Sequence, residues 1–158
     1  MKKYLHKIII ICLICVFAAG CSAKAGAPAG LKTGAGLTAG GKVDLDLTSL
    51  NGAMVYAEVY NMMSSPDEFL GKTIKMKGPY YASYFEATGL YYHYIIIEDA
   101  TSCCQQGLEF IWSGDHKYPD DFPEEQAKIE VTGVFDCYDE LDKTYYYVAV
   151  DDITVLSS

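Results

Sequence analysis

From Lys72 onward, apolar and polar positions alternate with a period of two. Thr73-Ile74-Lys75-Met76-Lys77 sends Ile and Met to one face and the lysines to the other, as a half-buried strand requires. Gly78 and Pro79 predict a bend, after which Tyr80, Tyr81, Tyr84 and Phe85 resume the strand and Ala87-Thr88-Gly89 turns it. Leu90 to Glu98 reads as a long strand rich in Tyr and Ile, and Leu108 to Trp112 as a short one. Lys128 to Cys137 alternates again, with Ile129, Val131, Phe135 and Cys137 on one face. Gly133 falls on that same face, where a barrel strand often bends. Asp139 to Lys143 is expected to turn, and Thr144 to Val150 to form a further strand continued through Ile153 to Leu156. Residues 113–127 hold two prolines and five acids without an apolar period, so a loop is expected there.

Upstream, the period changes. GAMVYAEVYNMMS over 52–64 places Met54, Ala57 and Met62 near a helical repeat and predicts a helix. Ser65-Pro66-Asp67-Glu68 starts a second: Ser caps, Pro fits the first helical position, and the acids suit the positive end of the dipole. Gly71 stops it within a turn or two. Five strands, the first long and bent, with a long connection between the third and fourth, predict a mainly β, small α+β domain. The expected fold is a five-stranded Greek-key barrel of the OB type preceded by one or two short helices. Ile74, Met76, Val131 and Phe135 should lie inside. Another small β-barrel or an open α+β sheet is the alternative.

The first 42 residues do not belong to this pattern. Lys2, Lys3 and Lys7 precede an unbroken apolar run of twelve residues, Ile8 to Ala19. A basic start, a short apolar stretch and a small-residue exit make a secretory signal; the run is shorter than the roughly 20 residues of a membrane-spanning helix. The exit, Ala18-Ala19-Gly20-Cys21, resembles the bacterial lipoprotein lipobox, with Ala18 where Leu is commoner. That resemblance implies cleavage before Cys21, palmitate-type acylation of its sulfur and anchorage on the extracytoplasmic face of the cell membrane. An uncleaved or ordinary secretory signal is the alternative. Residues 21–42 then form the attachment site and an Ala/Gly-rich tether, with a root-mean-square reach of about 25 Å. Residues 43–158 form the folded domain.

Charge narrows the choice of partners. The chain has 12 lysines, no arginine and 21 acids, for a net charge of −9 and a pI near 4.6. Loss of residues 1–20 removes three lysines and no acid, leaving −12. Such a field repels phosphate backbones, and arginine's bidentate contacts are missing, so nucleic acid is excluded as a partner. Anionic lipid would repel the domain too, so attachment falls to the acyl chains, at about 0.8 kcal/mol per buried methylene.

The candidate chemistry lies in Cys103, Cys104 and Cys137. Adjacent Cα atoms are about 3.8 Å apart, too close for an unstrained disulfide between neighbours. In an OB barrel, the second and fourth strands both run antiparallel to the first and finish at one rim, which brings Cys137 towards the Cys103-Cys104 pair. Three states are open: one disulfide with a remaining thiol, three thiolates holding Zn²⁺ with water, Asp99 or a partner's residue as fourth ligand, or three unlinked cysteines. His93, among strand tyrosines, is expected to be packed, and His116 to lie at the opposite rim. No HExxH, GxSxG, CxxC or P-loop occurs. Asp120-Asp121 and Glu124-Glu125 read as a solvated acidic loop. Tyr80, Tyr81, Tyr84, Tyr91, Tyr92 and Tyr94 put aromatic groups on both faces of one strand pair, some of them core and others available to a sugar or peptide.

An adjacent cysteine pair followed by Gly107-Leu108-Glu109-Phe110 resembles uncharacterised Firmicutes lipoproteins with an OB-like domain, over roughly residues 50 to 156. More distantly, the cysteine pair and its setting resemble the C-terminal domain of YcgQ-like permease-associated proteins, from which this chain departs by its additional Cys137. Those families have no settled activity, and what the resemblance implies is a link to divalent-metal handling; the reading preferred on the whole chain is a non-catalytic accessory module that binds a ligand or partner beside a membrane transporter or permease. Two other classes stand beside it. One is a thiol-redox protein using Cys103 or Cys104, disfavoured because Glu98, Asp99 and Glu109 would raise a thiol pKa. The other is a structural module stapled by its cysteines.

Overall fold

The computed structural model describes residues 42–98 and 104–157. The signal segment, Cys21, most of the tether, Asp99 and Cys103 lie outside the described residues. A two-residue strand β1 (Leu45–Asp46) leads through a 3-10 turn at Leu47–Ser49 into helix α1 (Gly52–Ser64) and a second 3-10 turn at Pro66–Glu68. Five strands follow: β2 (Thr73–Phe85), β3 (Leu90–Glu98), β4 (Gln105–Trp112), β5 (Lys128–Glu140) and β6 (Lys143–Val155). Their order is β2-β3-β4-β6-β5, and β5 pairs back onto β2, closing a five-stranded barrel. All barrel neighbours are antiparallel except β4 and β6, which run parallel. The fold is the OB-like barrel that the alternation predicts, with β1 added in parallel to the edge of β2.

The alternating positions fill the barrel. Ile74, Met76, Ile95, Leu108, Ile129, Phe135 and Val148 are fully buried, and Val131 nearly so. Gly133 does mark the bend in β5: the β5–β6 register shifts between Val131 and Gly133. A Cβ at Gly133 would sit 2.0 Å from the carbonyl oxygen of Ala149, so only glycine lets β6 approach this closely.

Several local expectations need correction. α1 spans the predicted residues and is capped by Asn51, whose side chain accepts from the Met54 amide at 3.1 Å, but its buried phase differs. Val59 and Met62 enter the core with Val55 packed beside them, whereas Met54 is 52 % exposed and Ala57 faces solvent. The helix lies against β3 and β4, and the stripe at 55, 59 and 62 is the one a closed barrel end accepts. Ser65 does not cap the following turn with its side chain, although Pro66 takes its first position and Gly71, at φ 79°, ends it. Gly78-Pro79 does not interrupt β2, which continues through both residues against β5. β4 begins at Gln105 rather than Leu108, and the β5–β6 turn shrinks to Leu141-Asp142, both with positive φ, the backbone of a two-residue hairpin turn. Among the described residues, no helix is long and apolar enough to cross a membrane.

Candidate functional site

β2, β5 and β6 are each 13 residues long, and the far ends of hairpins β2–β3 and β5–β6 run past their barrel pairings. Strand alternation puts Tyr92 and Tyr94 on the face opposite Ile95, and Glu109 on the face opposite Leu108 and Phe110. Tyr138, Glu140 and Tyr145 project likewise from the second hairpin. These side chains, with Ser83 and Phe85, line a groove of about 190 Å³ on the outer surface. The hairpins meet across it, since the Tyr92 hydroxyl donates to Glu140 Oε2 at 2.6 Å.

Glu109 forms the floor. It is only 7 % exposed, and the Tyr138 hydroxyl donates to it from 3.1 Å to either carboxylate oxygen. Burial pushes its pKa up to about 7; the Tyr138 hydrogen bond pulls the other way, and the charge of Glu140 adds to the rise. The tyrosines respond in kind. Burial, helped by the neighbouring carboxylates, pushes Tyr92 and Tyr94 up to about 12 and Tyr138 higher still. Ring packing holds the wall: Tyr138 stacks on Tyr145 at 5.6 Å and meets Tyr147 edge-on at 5.7 Å. The groove is therefore a pair of carboxylates set among neutral phenols and ring faces. A larger hollow of about 500 Å³ is lined by the consecutive residues 139–144 of the β5–β6 turn alone, and no chemistry converges there.

The inner face carries a separate aromatic cluster. Tyr80 is fully buried and lies 2.8 Å from His93 Nδ1, a geometry in which the phenol donates to a neutral imidazole. His93 stacks on Phe122 at 3.9 Å, and burial lowers its pKa to about 4. His93 is thus packed, as expected. His116 stacks on Trp112 at 3.6 Å at the C-terminal end of β4, far along the strand from Cys104. Tyr118 and Phe122 from the 113–127 loop close over His93, so this loop covers the barrel mouth while its acids remain exposed.

At the other rim, β3 and β5 both run antiparallel to β2 and end where it begins. Cys137 is disulfide-bonded, and Cys104 is exposed just before β4. A disulfide sulfur is not a thiolate ligand, and among the described residues no three His, Cys, Asp or Glu side chains gather as a metal site would need. Glu109, expected to act as a negative charge beside the cysteines, is instead buried among the tyrosines. Glu109, Tyr138, Glu140 and Tyr145 are not legible as a group in the sequence. Leu-Glu-Phe looks like ordinary alternation with a solvated acid, and the one available signal was the density of tyrosine in the last two strands. No protein-family model matches the chain and no curated protein is significantly similar to it.

Proposed function

We propose that this protein is a lipid-anchored, non-catalytic binding module on the extracytoplasmic face of the cell membrane, with the tyrosine groove as its ligand site. The observation that carries the reading is a carboxylate, 7 % exposed, flooring a groove of about 190 Å³ walled by aromatic rings. Burying such a group costs stability, which is the mark of a site kept for binding. The non-catalytic part rests on the phenols: burial holds Tyr92, Tyr94 and Tyr138 protonated near neutral pH, so none of these three is an activated nucleophile. A lipid on Cys21 and the Gly-rich tether would leave the domain free to meet a transporter or permease within about 25 Å of the membrane. We propose that the disulfide of Cys137 runs to Cys103 or Cys104, as a staple across the rim. Zn²⁺ at that rim would then need prior reduction.

Mass spectrometry of the native protein tests the anchor: an acylated Cys21 at the mature N-terminus is expected. A Cys21→Ala variant retained equally firmly in membranes refutes it. Ligand-induced changes in the rings of Tyr92, Tyr94, Tyr138 and Tyr145 test the groove.

A further inference from the structure

Resting on the groove as the ligand site, we infer that its ligand carries an alkylammonium group, whose cationic head pairs with Glu109 and Glu140 while its methylenes lie against the rings of Tyr92, Tyr94, Tyr138 and Tyr145. The sign comes from the lining, which holds two carboxylates and no lysine, in a chain without arginine and with a net charge of −9. An anion would meet repulsion at every charged contact. A neutral sugar needs donors as well as acceptors, but the hydroxyl protons of Tyr92 and Tyr138 are already directed at Glu140 and Glu109. Beside the Ser83, Tyr94 and Tyr145 hydroxyls, which can donate or accept, the charged groups of the lining are two carboxylates, and their acceptor oxygens favour a positively charged ligand rich in donors. An ammonium brings three donors and no acceptor. A divalent metal ion would need about six oxygen ligands, and the walls are mostly ring carbon. Ring faces attract organic cations instead.

The charge of Glu140 raises the cost of ionising Glu109, and a cation between them relieves that repulsion. The groups facing Glu109 are Tyr92 and Tyr94 from β3, Tyr138 and Glu140 from β5, and Tyr145 and Tyr147 from β6; Ser83 and Phe85 from β2 bring no charge. The shifted tyrosines stay neutral at physiological pH, so Glu109 governs the response near pH 7. Affinity should rise with pH up to about 7 and then level off. The same head group occurs in a free amine and in a lysine side chain of a protein partner.

Tyrosine-ring NMR of the mature protein in detergent micelles separates these cases, using butylammonium, 1,4-diaminobutane and the peptide acetyl-Gly-Lys-Gly-amide as probes. Saturable shifts of the four groove rings are expected above pH 7, with affinity falling by at least about tenfold at pH 5.5 and in Glu109→Gln. Binding of the small amines assigns a free amine, and binding of the peptide alone assigns a lysine side chain. Groove rings unmoved by all three cationic probes, or wild-type affinity that ignores pH, overturn the inference. Parallel titrations with maltose and acetate keep the two readings apart. Saturable shifts with either of these and not with the amines refute the cation but leave the groove as a binding site, whereas silence with every probe refutes both.

Discussion

Glu109→Gln should make the protein more stable, and only above mildly acidic pH. The side chain keeps its shape, and its amide oxygen can still accept from Tyr138, but the buried charge is gone. In the folded protein the Glu109 carboxyl is raised from 4.5 to about 7, so between those values the native state holds a proton that the unfolded chain releases. The unfolded state then binds fewer protons, and stability falls as pH rises through this window. Above pH 7 the accumulated penalty is about 3 kcal/mol, at about 1.4 kcal/mol per pH unit. The variant should match the wild type near pH 4.5 and exceed it by up to about 3 kcal/mol at pH 8, a shift of roughly 10 °C in Tm for a domain of this size. His93 works in the opposite sense. Its pKa is lowered to about 4, so its contribution is lost as pH falls from 6.5, and a wild-type profile alone would blend the two. Urea unfolding of both proteins at each pH, followed by Trp112 fluorescence, isolates Glu109 as a difference. A difference independent of pH, or a variant less stable at pH 8 than wild type, would refute the account of Glu109 as a buried acid whose hydrogen bond from Tyr138 does not offset its desolvation.

Three further outcomes are expected. Phe135→Ala removes a fully buried ring from the barrel and should cost about 3–5 kcal/mol in chemical denaturation; a near-neutral effect would contradict its place in the core. If Cys103 is the partner of Cys137, Cys103→Ser should release one alkylatable thiol at Cys137 and lower stability by about 3–4 kcal/mol, whereas Cys104→Ser should leave the bond intact in peptide mapping. The His93 imidazole should stay neutral in NMR titration down to about pH 4, with stability declining in mild acid; an ordinary titration near 6.5 would show that the Phe122 lid does not bury it.

The barrel could be read from the chain because alternation is local. Ile74, Met76, Val131 and Phe135 sit on period-two positions, and a one-residue slip would expose all of them. Gly133 was legible for a related reason, since an isolated glycine on the inner face of a strand has few uses other than a bend or a close approach. α1 was legible as a helix and not as an orientation. Met54 and Met62 look alike to a periodicity argument, and what selects the 55-59-62 stripe is where the barrel end presents apolar surface.

Sequence by itself determined the net charge of −9 and the strand pattern that closes as an OB-like barrel. Each depends on composition or on neighbours a few positions apart. Tertiary structure alone decided the site. Glu109 becomes a buried acid, and Tyr92, Tyr138 and Glu140 become its setting, because two hairpins longer than the barrel meet over one face. Tyr92 and Glu140 stand 48 positions apart, and no local pattern encodes their meeting. Burial, unlike period, is a property of whatever packs above a residue, so the charge state of Glu109 is set by residues far along the chain.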